Sequence, residues 1–342
     1  MAENKLGRQT IQFKNRPEIF SCFSTVGKKE GEGPMGDWFH RILEDDKCGQ
    51  KTWEEAESKI LKDTVIDAIR QAGIDKHAID VIFCGDLINQ LMSSSYAVRE
   101  LGIPFLGLFG ACSTMSESLI ISGAFVNAGY SHFAAAAASS HFCTAERQFR
   151  MPLEHGNQKP PSAQQTVTGA GCAVIREQSG DTDGIYLTGG TIGKIVDKGI
   201  NDSNMMGAAM APSAIDTLTV HFEETGRTPD FYDRIFTGDL GHIGKKIVLD
   251  AMEQKGYRLE GIYDDCGSLI FGQNQDAHGG GCGCGCSGSV FCGYIYQKMK
   301  AKEWKNVLLV STGALLSTIS TQQGESIPGI AHAVAISTEK EG

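Results

Sequence analysis

The second half of this 342-residue chain echoes the first. Asp67-Ala-Ile-Arg-Gln-Ala-Gly73 returns as Asp250-Ala-Met-Glu-Gln-Lys-Gly256, each reading as the end of an amphipathic helix stopped by glycine. Phe83-Cys-Gly-Asp-Leu-Ile88 returns at a similar offset as Asp265-Cys-Gly-Ser-Leu-Ile270. Cys112-Ser-Thr, the small-residue run after it and the apolar Phe133-Ala-Ala-Ala-Ala-Ala138 match Cys286-Ser-Gly, its run and Asn306-Val-Leu-Leu-Val310. Val167-Thr-Gly-Ala-Gly-Cys-Ala-Val-Ile175 matches Pro328-Gly-Ile-Ala-His-Ala-Val-Ala-Ile336. Each half therefore reads helix, strand, Gly-rich turn, buried helix, strand, loop, strand. Helices alternating with apolar strands give α/β layers. Two copies with one buried helix each predict five layers, αβαβα, with the two central helices side by side and their N-termini converging. The expected division is residues 1–190 and 191–342, two pseudo-symmetric halves of one compact body. Gly189-Gly-Thr-Ile-Gly193 lacks the lysine and spacing of a phosphate loop and is expected to be the hinge between them.

The most informative stretch is Gly110-Ala-Cys-Ser-Thr114. It follows the apolar run from Ile103 and opens the small-residue segment 115–128, read as a buried helix. A cysteine at a helix start lies where free N–H groups and the macrodipole favour negative charge, and such a position lowers a thiol pKa. The same N–H groups can hold a carboxylate ligand. Cys112 is thus either a nucleophile or part of a pocket wall, set against the plain alternative of a buried structural thiol.

A net charge of −10 argues against a nucleic-acid partner or a polybasic membrane surface. The eleven cysteines are odd in number and sit within apolar strands and Gly-rich turns, which fits a reduced compartment. Met-Ala-Glu-Asn-Lys carries no apolar signal region, and no run of ~18 apolar residues exists to span a membrane. The expectation is a protein made in the cytoplasm without a signal peptide.

A duplicated α/β chain with Gly-Ala-Cys-Ser at its first buried helix resembles the thiolase superfamily, including the ketoacyl synthase III enzymes, over nearly its whole length. A narrower resemblance rests on Ser139-Ser-His-Phe-Cys-Thr-Ala-Glu-Arg-Gln-Phe-Arg150, Gln158-Lys-Pro160 and Thr166-Val-Thr-Gly169. It extends to Gly33-Pro-Met-Gly-Asp-Trp-Phe39 and Thr237-Gly-Asp-Leu-Gly-His242. These segments are similar to the stage V sporulation protein AD family. That resemblance implies a thiolase-like homodimer binding dipicolinic acid, free or as its calcium chelate, and supporting its uptake into the developing spore. It further implies membrane partners in the same transport machinery and a peripheral place at the spore inner membrane. No cofactor is implied.

The resemblance implies site residues as well. His242 falls where the first catalytic histidine of ketoacyl synthase III would donate to a thioester oxyanion, with a hydrogen-bonded helix-start histidine as the alternative. Where those enzymes carry Asn-Thr-Ser, this chain has Gly281-Cys-Gly-Cys-Gly-Cys-Ser-Gly-Ser289, placing Cys284 opposite the asparagine. A thiol replaces an amide donor poorly, which argues against decarboxylative condensation, while a thiolase-like Cys112/His242/Cys284 arrangement is the catalytic alternative. The Cys-x-Cys-x-Cys spacing is tighter than zinc sites use, so no metal is expected; the glycines serve close helix packing.

For a planar dicarboxylate, Arg147 and Arg150 with Gln148 supply fork-shaped donors, His141 a titratable donor, and Phe142 or Phe149 a wall for the ring. The alternative is that an arginine pairs with Glu146, Glu154 or a partner chain. The acidic run Trp53-Glu-Glu-Ala-Glu57 reads as a solvated helix face. An acyltransferase using Cys112 remains the competing function. Coenzyme A would need a basic entrance, and no compact Lys/Arg cluster stands out. A scaffold for membrane partners is the third reading.

Overall fold

A computed structural model describes residues 3–149, 159–178 and 183–339. The first half runs β1 (Glu18–Val26), α1 (Trp53–Gln71), β2 (Val81–Gly85), α2 (Met92–Leu101), β3 (Phe105–Gly107), α3 (Thr114–Asn127), β4 (Phe133–Ser140), α4 (Phe142–Phe149) and β5 (Gly169–Arg176). The second runs β6 (Tyr186–Thr191), α5 (Met206–Thr225), β7 (Arg234–Thr237), α6 (Gly241–Gln254), β8 (Tyr263–Asp265), α7 (Cys284–Val290), β9 (Asn306–Ala314) and β10 (Gly329–Ser337). A π turn, Phe291–Ile295, carries α7 on into Tyr296–Lys300.

The strand order is β3-β2-β4-β5-β1 in one half and β8-β7-β9-β10-β6 in the other. In both, the first three strands are parallel and the last two pairings antiparallel. In the large sheet, β1 of the first half meets β6 of the second at the pair Glu18 and Tyr186. Strand alternation sorts side chains into layers. Phe83, Ala136 and Leu309 point into a central core with Met115, Leu119 and Val290 of α3 and α7. Ile82, Ala135 and Ala137 face α1 and α2, and Leu308 and Val310 face α5 and α6. These are the five expected layers.

The repeat register differs from the sequence reading in one respect. Strand order equates α1 with α5, β2 with β7, α2 with α6 and β3 with β8. The Asp67 and Asp250 segments therefore end non-equivalent helices, and the Phe83 and Asp265 segments belong to non-equivalent strands. The matching letters record a shared local device, a helix end closed by a left-handed glycine at Gly73 and Gly256. The pairings of α3 with α7, β4 with β9 and β5 with β10 hold. Gly189 and Gly190 are strand residues of β6 instead of a hinge. A Cβ at Gly189 would meet the carbonyl of Ile11 at 2.4 Å, on the short strand Thr10–Gln12.

Candidate functional site

Two chain turns, one from each half, build the site. Leaving β3, the backbone takes a left-handed conformation at Ala111 (φ 51°), costly for a residue with a Cβ, and enters the 3-10 turn Ala111–Ser113 ahead of α3. This places Cys112 on the floor of a cavity with 6% of its surface exposed. From the second half, Gly281–Cys282 lies alongside Gln165–Thr166 as a two-residue parallel bridge. The chain then turns at Gly283 (φ 103°) into α7. A Cβ at Gly283 would sit 2.7 Å from Ser140 Oγ, so the turn requires glycine.

Asp239, from the turn after β7, ties the two together. Its Oδ2 accepts from the Gly283 N–H at 2.8 Å and its Oδ1 from Thr312 Oγ1 at 2.8 Å. Its carbonyl accepts from Gln164 Nε2, which also donates to the Gly281 carbonyl at 2.8 Å. The Cys112 thiol lies against this carboxylate. Burial first, then the negative charge of Asp239, then Cys282 and Cys284 push the Cys112 pKa well up from its ordinary value. The helix start was expected to lower it; desolvation and an adjacent anion outweigh the dipole here, and the thiol stays protonated.

The cavity above Cys112 holds about 240 Å³. Its walls are mainly apolar, with Phe109 and Phe149, Met206, Leu315 and Leu316, while Asn89, Thr166 and Ser317 supply polar atoms. Thr166 Oγ1 donates to Glu146 Oε1 at 3.2 Å, and Glu146 in turn takes Lys159 Nζ at 2.8 Å. No cationic side chain is among the described residues lining the cavity. Nor do the described residues contain a group of three or more His, Cys, Asp or Glu arranged to hold a metal ion.

The other residues singled out from sequence lie elsewhere. His242 is exposed on the first turn of α6, with its N–H bonded to the Gly279 carbonyl at 2.9 Å, and does not line the cavity. Cys284 is fully buried with its thiol 2.9 Å from the Ser139 carbonyl; the thiol lining the cavity beside Cys112 is that of Cys282. His141 is enclosed at the start of α4. Its Nδ1 accepts from the Cys143 N–H at 3.1 Å, leaving Nε2 to donate to the Asp46 carbonyl at 2.9 Å. Burial lowers its pKa, so the ring is neutral with both nitrogens engaged. Arg147 pairs with Glu54 of α1, a partner not foreseen. Gln148 Oε1 accepts from the Asn89 N–H at 3.3 Å, while its Nε2 is buried with no partner among the described residues. Arg150 lies outside the described residues. Of the two candidate ring walls, Phe149 lines the cavity, whereas Phe142 sits under Lys159.

Sequence reasoning missed Asp239 and Cys282. Asp239 lies three residues before His242 in the same motif, where residue type alone favours the histidine as proton carrier. Cys282 is the first of the alternating cysteines; being the one ahead of the helix, it stays on the wall while the next two rotate into the core. The acidic run on α1 is also not wholly solvated. Glu57 is fully buried, accepts from Ser139 Oγ at 3.2 Å and Thr144 Oγ1 at 2.7 Å, and is pushed up to about 8 by burial and by Asp86.

Residues 7–337 match the family model for stage V sporulation protein AD. A similar curated relative is stage V sporulation protein AD of Bacillus subtilis (strain 168), 44% identical over 328 residues and covering 96% of each chain. Among solved structures, the chain resembles 3-oxoacyl-[acyl-carrier-protein] synthase III from Aquifex aeolicus VF5 (TM-score 0.58, 12% identity, 94% and 99% of the two chains). It also resembles human mitochondrial 3-ketoacyl-CoA thiolase in complex with CoA (TM-score 0.59, 10% identity, 95% and 99%). At such identities these two likenesses establish the thiolase-like fold alone.

Proposed function

The chain belongs to the stage V sporulation protein AD family, and from that premise we propose that it acts in sporulation as a non-catalytic binder of dipicolinic acid, housed in the Cys112 cavity. The observation that carries this reading is the Asp239 carboxylate beside the Cys112 thiol. A condensing nucleophile needs thiolate, and this neighbour disfavours it. The volume supports a small ligand as well. About 240 Å³ falls below the roughly 300–1,000 Å³ of sites for larger molecules and suits a single ring between Phe109 and Phe149.

Charge favours the calcium chelate over the free dianion. Two carboxylates entering an apolar cavity lose hydration that no described lining cation restores. A one-to-one chelate is neutral and avoids most of that cost. The test is calorimetry on the purified protein with dipicolinate, with and without calcium. Saturable heat that is tighter with calcium is the expected result. No saturable heat at about millimolar ligand overturns the reading.

An acyltransferase keeps one observation in its favour, the cysteine on the cavity floor at the start of α3. Intact-mass analysis after exposure to acyl-CoA donors separates the two: an adduct lost in Cys112→Ala would replace the binding reading with catalysis.

The reading includes a homodimer formed through β3. Leu106 on this short edge strand, Phe109 just after it, and Met92 and Tyr96 on the preceding α2 are apolar side chains each 43–53% exposed. Because Phe109 also lines the cavity, a second copy seated there would help close it. Membrane components of a spore transport machinery are the expected further partners, with association at the spore inner membrane, to be sought by co-purification. No helix among the described residues is long and apolar enough to cross a membrane.

A further inference from the structure

We propose a second binding site, for a small multivalent oxyanion, in the groove between the N-terminal strand and the end of α5. The groove encloses about 660 Å³ and carries Lys14, Arg16 and Arg227 on a protein whose net charge is −10. It lies toward the far end of α3 from Cys112: Asn15 N–H donates to Asn127 Oδ1 at the last residue of that helix.

Three features mark the groove as built for an anion. The Nε of Arg16 is shielded from solvent and has no acceptor among the described residues, so this guanidinium is held at a desolvation cost that a neighbouring anion offsets. Arg16 also adopts a left-handed backbone (φ 46°) directly before Pro17, a conformation both its Cβ and the proline disfavour; its guanidinium rests on the Tyr186 ring and reaches the Glu339 carbonyl. The Arg227 guanidinium carbon lies over the Phe231 ring, 4.1 Å from its centre, with Nη1 3.3 Å from the Tyr232 hydroxyl. Burial first, and then like charge from Arg227, disfavours the Arg16 cation, while Tyr186 and Glu339 partly offset this, so an anion bound beside both guanidiniums is favoured.

The nearby carboxylates leave this balance positive. Glu3 pairs with Lys14 at 2.9 Å, and Glu224 is committed to the backbone N–H groups of Arg8, Gln9 and Thr10. Glu339 at the rim pairs with Lys305 at 3.2 Å. His221 is neutral, burial taking it down to about 3, and bridges Thr191 and Tyr232 on the floor. Two guanidinium forks fit phosphate or carboxylate oxygens. The site stands independently of what occupies the Cys112 cavity.

Calorimetry of the full chain with inorganic pyrophosphate and, separately, citrate tests this and distinguishes the phosphate from the carboxylate source. Binding of either is expected, weakened tenfold or more in both Arg16→Gly and Arg227→Gln, and unchanged in Ala314→Phe, which fills the Cys112 cavity. Arg16→Gly relieves the left-handed strain, and Arg227→Gln keeps a polar side chain, so the two fail to fold for different reasons if either does. No saturable binding of either anion, or binding untouched by both arginine variants, overturns the proposal.

Discussion

The Cys112 thiol lies against the Asp239 carboxylate, whose remaining lone pairs hold the Gly283 amide and the Thr312 hydroxyl. One residue thus fixes the turn into α7, anchors β9 and sets the chemistry of the thiol on the cavity floor. Aspartate here favours S–H, whereas an imidazolium would favour S⁻.

Reactivity reports that relationship. Wild-type Cys112 should be alkylated by iodoacetamide slowly at neutral pH despite its place on a cavity wall. Asp239→Asn removes the adjacent charge, and the rate at Cys112 should rise roughly tenfold or more, the change in thiolate for about one pKa unit. Peptide mapping under native conditions reads it; equal rates in the two proteins would show that Asp239 does not hold the thiol protonated.

Filling the cavity should abolish dipicolinate binding without unfolding the protein. Ala314 lines the cavity and is nearly buried, so Ala314→Phe projects a ring into the space. Removing one wall by Phe149→Ala should weaken binding about tenfold, near 1.4 kcal/mol. Unaltered calorimetric affinity in both variants would move the ligand elsewhere.

Glu57 gives a pH signature. In the folded chain it keeps its proton up to about 8, while unfolded it ionises near ~4.3. Its stabilising contribution is therefore complete below ~4.3 and is lost as pH rises toward 8. Glu30, also pushed up to about 8 by burial, and Asp265, to about 7, act in the same direction. Glu57→Gln should flatten the fall in denaturation free energy between pH 5 and 8 by up to ~1.4 kcal/mol per pH unit. Parallel curves for the two proteins would mean that Glu57 ionises normally.

Leu106→Lys places a charge on the β3 edge, half of whose central side chain is exposed. Sedimentation should change from dimer to monomer, with the circular dichroism spectrum kept. A monomeric wild type would remove the dimer from the reading.

Gly283→Ala tests the turn itself. The new methyl would crowd Ser140 and strain a backbone at φ 103°, so stability should fall by about 2 kcal/mol or more, measured by chemical denaturation. A loss under about 0.5 kcal/mol would show that the turn tolerates a side chain.

The duplication, the five layers and the placing of Cys112 at the start of a buried helix were legible in the chain, because hydrophobic periodicity and glycine stops are local properties. The register of the repeat was only half legible: Asp67 and Asp250 share a helix-ending device without sharing a place in the sheets. The thiol beside Cys112, the carboxylate that governs it and the fate of Arg147 were decided by tertiary structure. Cys282, Asp239 and Glu54 are distant in sequence from the residues they meet, and orientation along a turn, not residue type, selects Cys282 over Cys284 and Asp239 over His242. Sequence determined which residues could carry chemistry; desolvation and charge proximity, which exist only once the halves close on each other, decided that Cys112 remains a thiol.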